Sequence, residues 1–117
     1  MQVGIDIQEV EPLKRFVGTN KMQRVFSASE LKYIKEKASS HRTITGLFCA
    51  KEAFFKAIGT GIQVNNLTKV EVKHNDQGAP YYVIDEELLR ANNLEGKKIS
   101  LSISHTQAIA TAICIIS

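Results

Sequence analysis

Two acids and a lysine offer this chain its clearest chemistry. Asp6 lies inside the apolar run Val3-Gly4-Ile5-Asp6-Ile7, where a carboxylate is locally out of place. Glu52 and Lys56 stand four apart in Lys51-Glu52-Ala53-Phe54-Phe55-Lys56-Ala57, which puts both on one helix face. Two carboxylates distant in sequence, brought together beside a lysine, suit magnesium. That ion takes one or two protein acids and completes its shell with waters and substrate phosphates. Plainer accounts stand beside this one. Asp6 at a strand end can cap the following helix, and Glu52 with Lys56 can form an exposed ion pair contributing roughly 0.3–0.5 kcal/mol.

Two further motifs bear on ligands. His105, in Ser104-His105-Thr106 between two apolar runs, can bind a phosphate or orient a nucleophile, since imidazole titrates near neutral pH. It can equally be a solvated turn residue. Gly59-Thr60-Gly61 lacks the lysine and following hydroxyl residue of a P-loop. Helix termination is its first use, and close approach of a ligand to bare backbone its second.

These groups need elements to position them. Residues 2–7 read as an opening strand, and Pro12 favours a helix start. Ser27-Ala28-Ser29-Glu30 matches a capping box ahead of a short helix, and Ser39-Ser40 can cap the next. The longest helical pattern runs from about Arg42 to Ile58 on the stripe Ile44, Leu47, Phe48, Phe54, Phe55 and Ile58, with Gly59 as terminator. Val70 and Val72, then Tyr81 to Ile84, flank the turn-forming Asn75-Asp76-Gln77-Gly78 and predict a hairpin. Asp85 caps a short helix to about Asn93. Leu101 and Ile103 alternate with serines as a half-buried strand, and Ala108 to Ile116 follows as a more buried one. The pattern is α+β, a single compact domain over 1–117 with an antiparallel sheet and one long helix.

Composition narrows the function. The chain has 117 residues and a net charge of +3, a mild basic bias that fits a small anion or an acidic protein partner. It lacks the dense basic stripe of a nucleic-acid binder, so no nucleic acid is expected. The longest apolar run is too short for a membrane helix, and no secretory signal opens the chain, which makes the cytoplasm the expectation. Cys49 and Cys114 have no metal-type spacing and read as buried free thiols.

In order along the chain, Gly4-Ile5-Asp6-Ile7, then Ala50-Lys51-Glu52-Ala53-Phe54-Phe55-Lys56-Ala57 with Gly59-Thr60-Gly61-Ile62, then Ser102-Ile103-Ser104-His105-Thr106 resemble the holo-acyl-carrier-protein synthases. These are the small trimeric members of the 4′-phosphopantetheinyl transferase superfamily. Phe26 to Glu30 and Asn75 to Pro80 look like further family segments. The resemblance implies that fold, and transfer of phosphopantetheine from coenzyme A to a serine of an apo acyl carrier protein, in support of fatty acid biosynthesis. It implies a homotrimer with sites at subunit interfaces. Asp6 and Glu52 would hold Mg2+, Glu52 and Lys56 would act in catalysis, and Lys56, Gly59, Gly61, His105 and Thr106 would bind coenzyme A. Lys14, Arg15, Lys21 and Arg24 would meet the acidic carrier, although a solvated basic face explains them as well. Glu52 and a metal-bound water both remain candidates for the base.

Two positions depart from the family pattern. Leu47 stands where many relatives carry an arginine, so a contact to a coenzyme A phosphate is absent or comes from another base. Ile109 stands where an aromatic often follows the His-Thr motif. Alternative readings are a transferase dedicated to polyketide or peptide synthase carriers, a non-catalytic homologue that only binds coenzyme A or a carrier, and a purely structural trimer.

Overall fold

Alternating side chains draw the opening segment into strand β1 (Gln2–Glu9) in the computed structural model, which describes residues 1–13 and 19–117. Gly4 and Asp6 are buried and Gln8 half-buried on one face, while Val3, Ile5 and Ile7 are exposed on the other. The strand runs two residues past its expected end. Asp6 therefore lies within it and caps no helix. Helix α1 (Val10–Leu13) follows directly, and α2 (Met22–Val25) was not foreseen, because four residues carry too little periodicity to register.

Helix α3 (Ala28–Glu36) begins on the expected capping box: Glu30 N donates to Ser27 Oγ at 3.3 Å and Ser27 N to Glu30 Oε1 at 2.9 Å. Helix α4 (His41–Ile58) follows the predicted stripe, burying Ile44, Leu47, Phe54 and Phe55. Ser40 stands at its N-cap without a side-chain capping bond. Gly59 ends it in the left-handed region at φ 79°, where its N–H and that of Thr60 close back onto Lys56 and Phe55 carbonyls. A short 3-10 turn, Val64–Lys69, leads into β2 (Val70–His74), which forms the predicted hairpin with β3 (Pro80–Ile84). Asp85 caps α5 (Glu86–Ala91), its Oδ1 accepting from Glu87 N and Leu88 N at 3.0 and 3.2 Å.

Strands β4 (Ile99–His105) and β5 (Ile109–Ile116) complete an antiparallel sheet of order β1-β5-β4. The expected α+β architecture is what the chain adopts, with its antiparallel pairing divided between this sheet and the β2–β3 hairpin, a separate two-stranded ladder whose β3 runs beside β4 without joining it. Helix α4 crosses the inner face of the larger sheet. Contact is closest at Gly4, where an added Cβ would lie 2.0 Å from Ala53 O and 2.5 Å from Ala57 N. No side chain fits there, so glycine lets strand and helix backbones touch.

On the opposite side of α4, Lys51 is fully buried. Its Nζ donates to Glu30 Oε1 at 2.7 Å, Leu67 O at 2.8 Å and Val70 O at 2.7 Å, while Glu30 Oε2 accepts from Val72 N at 2.8 Å. All three ammonium protons are used, as burial of a charge requires. Burial still pushes the Lys51 amine below its ordinary pKa, opposed by the Glu30 carboxylate. The pair ties α3, α4, the 3-10 turn and β2 into one unit.

Candidate active site

The face that Lys51 leaves free brings the sequence-distant groups together. Asp6, on the inner face of β1, meets Glu52 and Lys56 on α4. Lys56 Nζ donates to Asp6 Oδ1 at 2.9 Å, so the lysine crosses to the strand and the plain reading of a Glu52–Lys56 surface pair is corrected. Asp6 is buried while Lys56 keeps half its side chain exposed. Thr111 Oγ1 donates to Asp6 O at 2.7 Å and fixes the strand behind the acid. Gln8 was not read as a site residue, yet its Nε2 reaches Asp6 Oδ2 at 3.1 Å and Glu52 Oε2 at 2.8 Å.

Crowding against Asp6 changes the chemistry of Glu52. Burial, then the neighbouring Asp6 carboxyl, raises the Glu52 carboxyl to about 7, opposed by Gln8 and Lys56. The hydrogen bond to Asp6 raises the Lys56 amine above its usual value. Cys49, one turn before Glu52, is fully buried with Sγ 3.4 Å from Ala110 O. Burial first, then Asp6, drives its thiol pKa up, so it offers the site no thiolate.

A pH dependence follows from Glu52. Without a metal, the folded protein keeps the Glu52 proton up to about pH 7, whereas the unfolded chain releases it near the ordinary 4.5. The folded state binds more protons in that window, so this group's contribution to stability falls as pH rises from about 4.5 to 7. Glu52→Gln is therefore expected to melt higher than the parent at pH 8 in EDTA and level with it at pH 5. Equal gaps at both pH values in thermal unfolding would refute the shift.

The remaining candidates lie elsewhere in the chain. His105 ends β4 and Thr106 follows it, and the pairing Gln8↔Ala110↔His105 places His105 two strands from Gln8, about 10 Å at ordinary strand spacing. Thr106 Oγ1 accepts from Ala108 N and Ile109 N at 3.2 Å each, closing the β4–β5 turn. His105 instead lines a groove of about 180 Å³ with Arg42, Leu47, Gly46 and Pro80. Gly59 and Gly61 follow α4 at φ 79° and 68°, with open space where a Cβ would stand. Lys21 and Arg24 are exposed on and beside α2. Lys14 and Arg15 lie outside the described residues.

Known proteins are similar to this chain in sequence and in backbone. The chain matches the 4′-phosphopantetheinyl transferase superfamily over residues 2–114. It is 37% identical to a holo-(acyl-carrier-protein) synthase of Fusobacterium nucleatum over 117 residues, covering 97% of this chain and 96% of that one. The Helicobacter pylori holo-(acyl-carrier-protein) synthase, solved in complex with coenzyme A, is 30% identical with a TM-score of 0.82, covering 98% of this chain and 99% of that one. The Bacillus anthracis synthase, solved with coenzyme A (3′,5′-ADP), is 29% identical with a TM-score of 0.81, covering 98% and 94%. Likeness in sequence along nearly the whole chain and likeness in backbone agree, and this chain belongs to the 4′-phosphopantetheinyl transferase superfamily.

Proposed function

We propose that this protein transfers the 4′-phosphopantetheine moiety of coenzyme A to a serine of apo acyl carrier protein, yielding holo carrier protein and 3′,5′-ADP for fatty acid biosynthesis. The observation that carries this reading is the meeting of Asp6, Glu52 and Lys56 where β1 crosses α4. Neither acid is spent on a cap or a surface pair. The serine oxygen attacks the phosphorus bonded to pantetheine, and the bond to the 3′,5′-ADP phosphate breaks. Lys56, half exposed beside the acids, offsets charge on the departing phosphate. The serine proton passes to a carboxylate or water beside it, and Glu52 and a water on the ion are the two acceptors this site offers.

The donor set fits magnesium. Two converging carboxylates match the one or two protein acids this ion takes, and no cluster of three or more His, Cys, Asp or Glu able to hold a metal exists among the described residues. Asp6 and Glu52 would hold the ion, which when bound neutralises charge on the pyrophosphate. The reading is tested by mass spectrometry of apo carrier protein, coenzyme A and Mg2+, with and without this protein and with EDTA. Gain of one phosphopantetheine that requires both protein and Mg2+ supports it. No gain on any carrier that an active control modifies would move the assignment to a binding protein, and preference for a polyketide or peptide synthase carrier would move the pathway.

Coenzyme A would lie along Lys56, Gly59 and Gly61, with His105 and Thr106 contributed by a neighbouring copy, since one chain holds them two strands from the acids. Arg42, which shares the His105 groove with the buried Leu47, is the base available there for a phosphate. A homotrimer has support in the outer sheet face, where Val3, Ile5, Ile7 and Ile109 stand exposed, an uncommon patch for an isolated protein. Light scattering is expected to give three chains per particle, and Ile5→Lys to give one; a monomeric parent would sink the trimer. Two free cysteines accord with a reducing cytoplasm, and no described helix is long and apolar enough to cross a membrane.

The basic residues would steer the acidic carrier. Lys21→Glu with Arg24→Glu is expected to raise KM for carrier several-fold at low salt while leaving KM for coenzyme A nearly unchanged. The opposite pattern would place these residues at the nucleotide.

A further inference from the structure

Gln8 stands two residues beyond Asp6 on β1, so strand alternation turns both side chains toward α4. Lys56 occupies Asp6 Oδ1, leaving Oδ2 to face Gln8. The Gln8 amide head thus fills the gap between Asp6 Oδ2 and Glu52 Oε2, at 3.1 and 2.8 Å. A cation shared by Asp6 Oδ2 and Glu52 Oε2 would stand against that amide.

The spacing matches more than a hydrogen-bond bridge. An octahedral magnesium site with bonds of about 2.0–2.1 Å sets neighbouring ligand atoms about 2.9 Å apart. The two Gln8 separations straddle that value, so its amide stands to each acid as one corner of such an octahedron stands to the next. An amide satisfies two carboxylates by presenting NH2 when nothing positive lies between them. Its oxygen and nitrogen are nearly isosteric, and half a turn about the terminal torsion exchanges them without moving the chain.

We propose that Gln8 is a third protein ligand of the divalent cation held by Asp6 and Glu52, its amide turning over on cation entry to present Oε1. The proposal rests on the metal reading above. In the metal-free protein the NH2 group stands in for the cation and keeps the acids converged.

The test uses the full-length, metal-free protein without coenzyme A or carrier, titrated with Mn2+ by electron paramagnetic resonance and with Mg2+ by calorimetry. Gln8→Met, which keeps the volume and removes the oxygen, is expected to weaken both cations about tenfold or more. Gln8→Glu is expected to bind at least as tightly as the parent. A Met variant that binds like the parent or better overturns the role of Gln8 alone, because a displaced bystander would bind in that way. If the Met variant fails to unfold cooperatively, the Glu variant decides, and weaker binding than the parent overturns the proposal. A parent that binds neither cation at millimolar concentration, alone and again with coenzyme A added, overturns the metal reading together with it.

Discussion

Glu52→Gln is expected to stay folded and lose about a hundredfold or more in transfer rate, the scale seen when one preorganised charge or donor is removed from a reacting phosphate or acyl site. The change keeps the volume and an oxygen that can still accept from Gln8, while it removes the negative charge and the proton acceptor together. Steady-state transfer measured beside thermal unfolding separates chemistry from folding. Raising Mg2+ divides the loss further: partial recovery assigns it to cation affinity, and none assigns it to the proton. Turnover within a few-fold of the parent would remove Glu52 from the mechanism.

Gly4→Ala is expected to be the most damaging of the small substitutions. The new methyl would stand 2.0 Å from Ala53 O, 2.5 Å from Ala57 N and 3.0 Å from Ala57 Cα, all backbone atoms that no rotamer change can move. Either β1 lifts from α4 or the helix shifts, and both spread Asp6 from Glu52. A cost of about 3 kcal/mol or more is expected, at the upper end of overpacking, which lowers the melting temperature by roughly 10 °C or more. Gly46→Ala is the control, because its methyl would meet only the Ile103 Cγ2 atom, at 3.2 Å, on a side chain that can yield. Melting of Gly4→Ala within a few degrees of the parent would contradict the close crossing.

Sequence patterns located the elements well where the signal was local. The α4 stripe with Gly59, the Ser27–Glu30 box, the Asp85 cap and the hairpin at 75–78 each depend on residues a few positions apart. The acids and Lys56 were legible as types, but their meeting depends on how β1 crosses α4, which no short window contains. Gln8 gave no sign for the same reason: a glutamine in a strand is ordinary until the helix opposite is known. Lys51 did carry a signal. Steps of four from Leu47 through Lys51 to Phe55 place it within the buried stripe, and Glu30 was already marked by the capping box. The division of the strands into two ladders, and the separation of His105 from Asp6, follow from strand order, which is a property of the whole chain.

Strand β1 also makes two equilibria inseparable. Its even-numbered residues Asp6 and Gln8 face the helix and the site, and its odd-numbered Val3, Ile5 and Ile7 face outward. With a repeat of two residues and no spacer, whatever orders one face fixes the backbone that presents the other. Reciprocity then requires that if covering the outer face tightens ligand binding, ligand binding tightens the cover by the same factor. If the trimer proposed above forms across that face, dilution would loosen the acids without touching them, and substrate would draw protomers together without lying between their apolar faces.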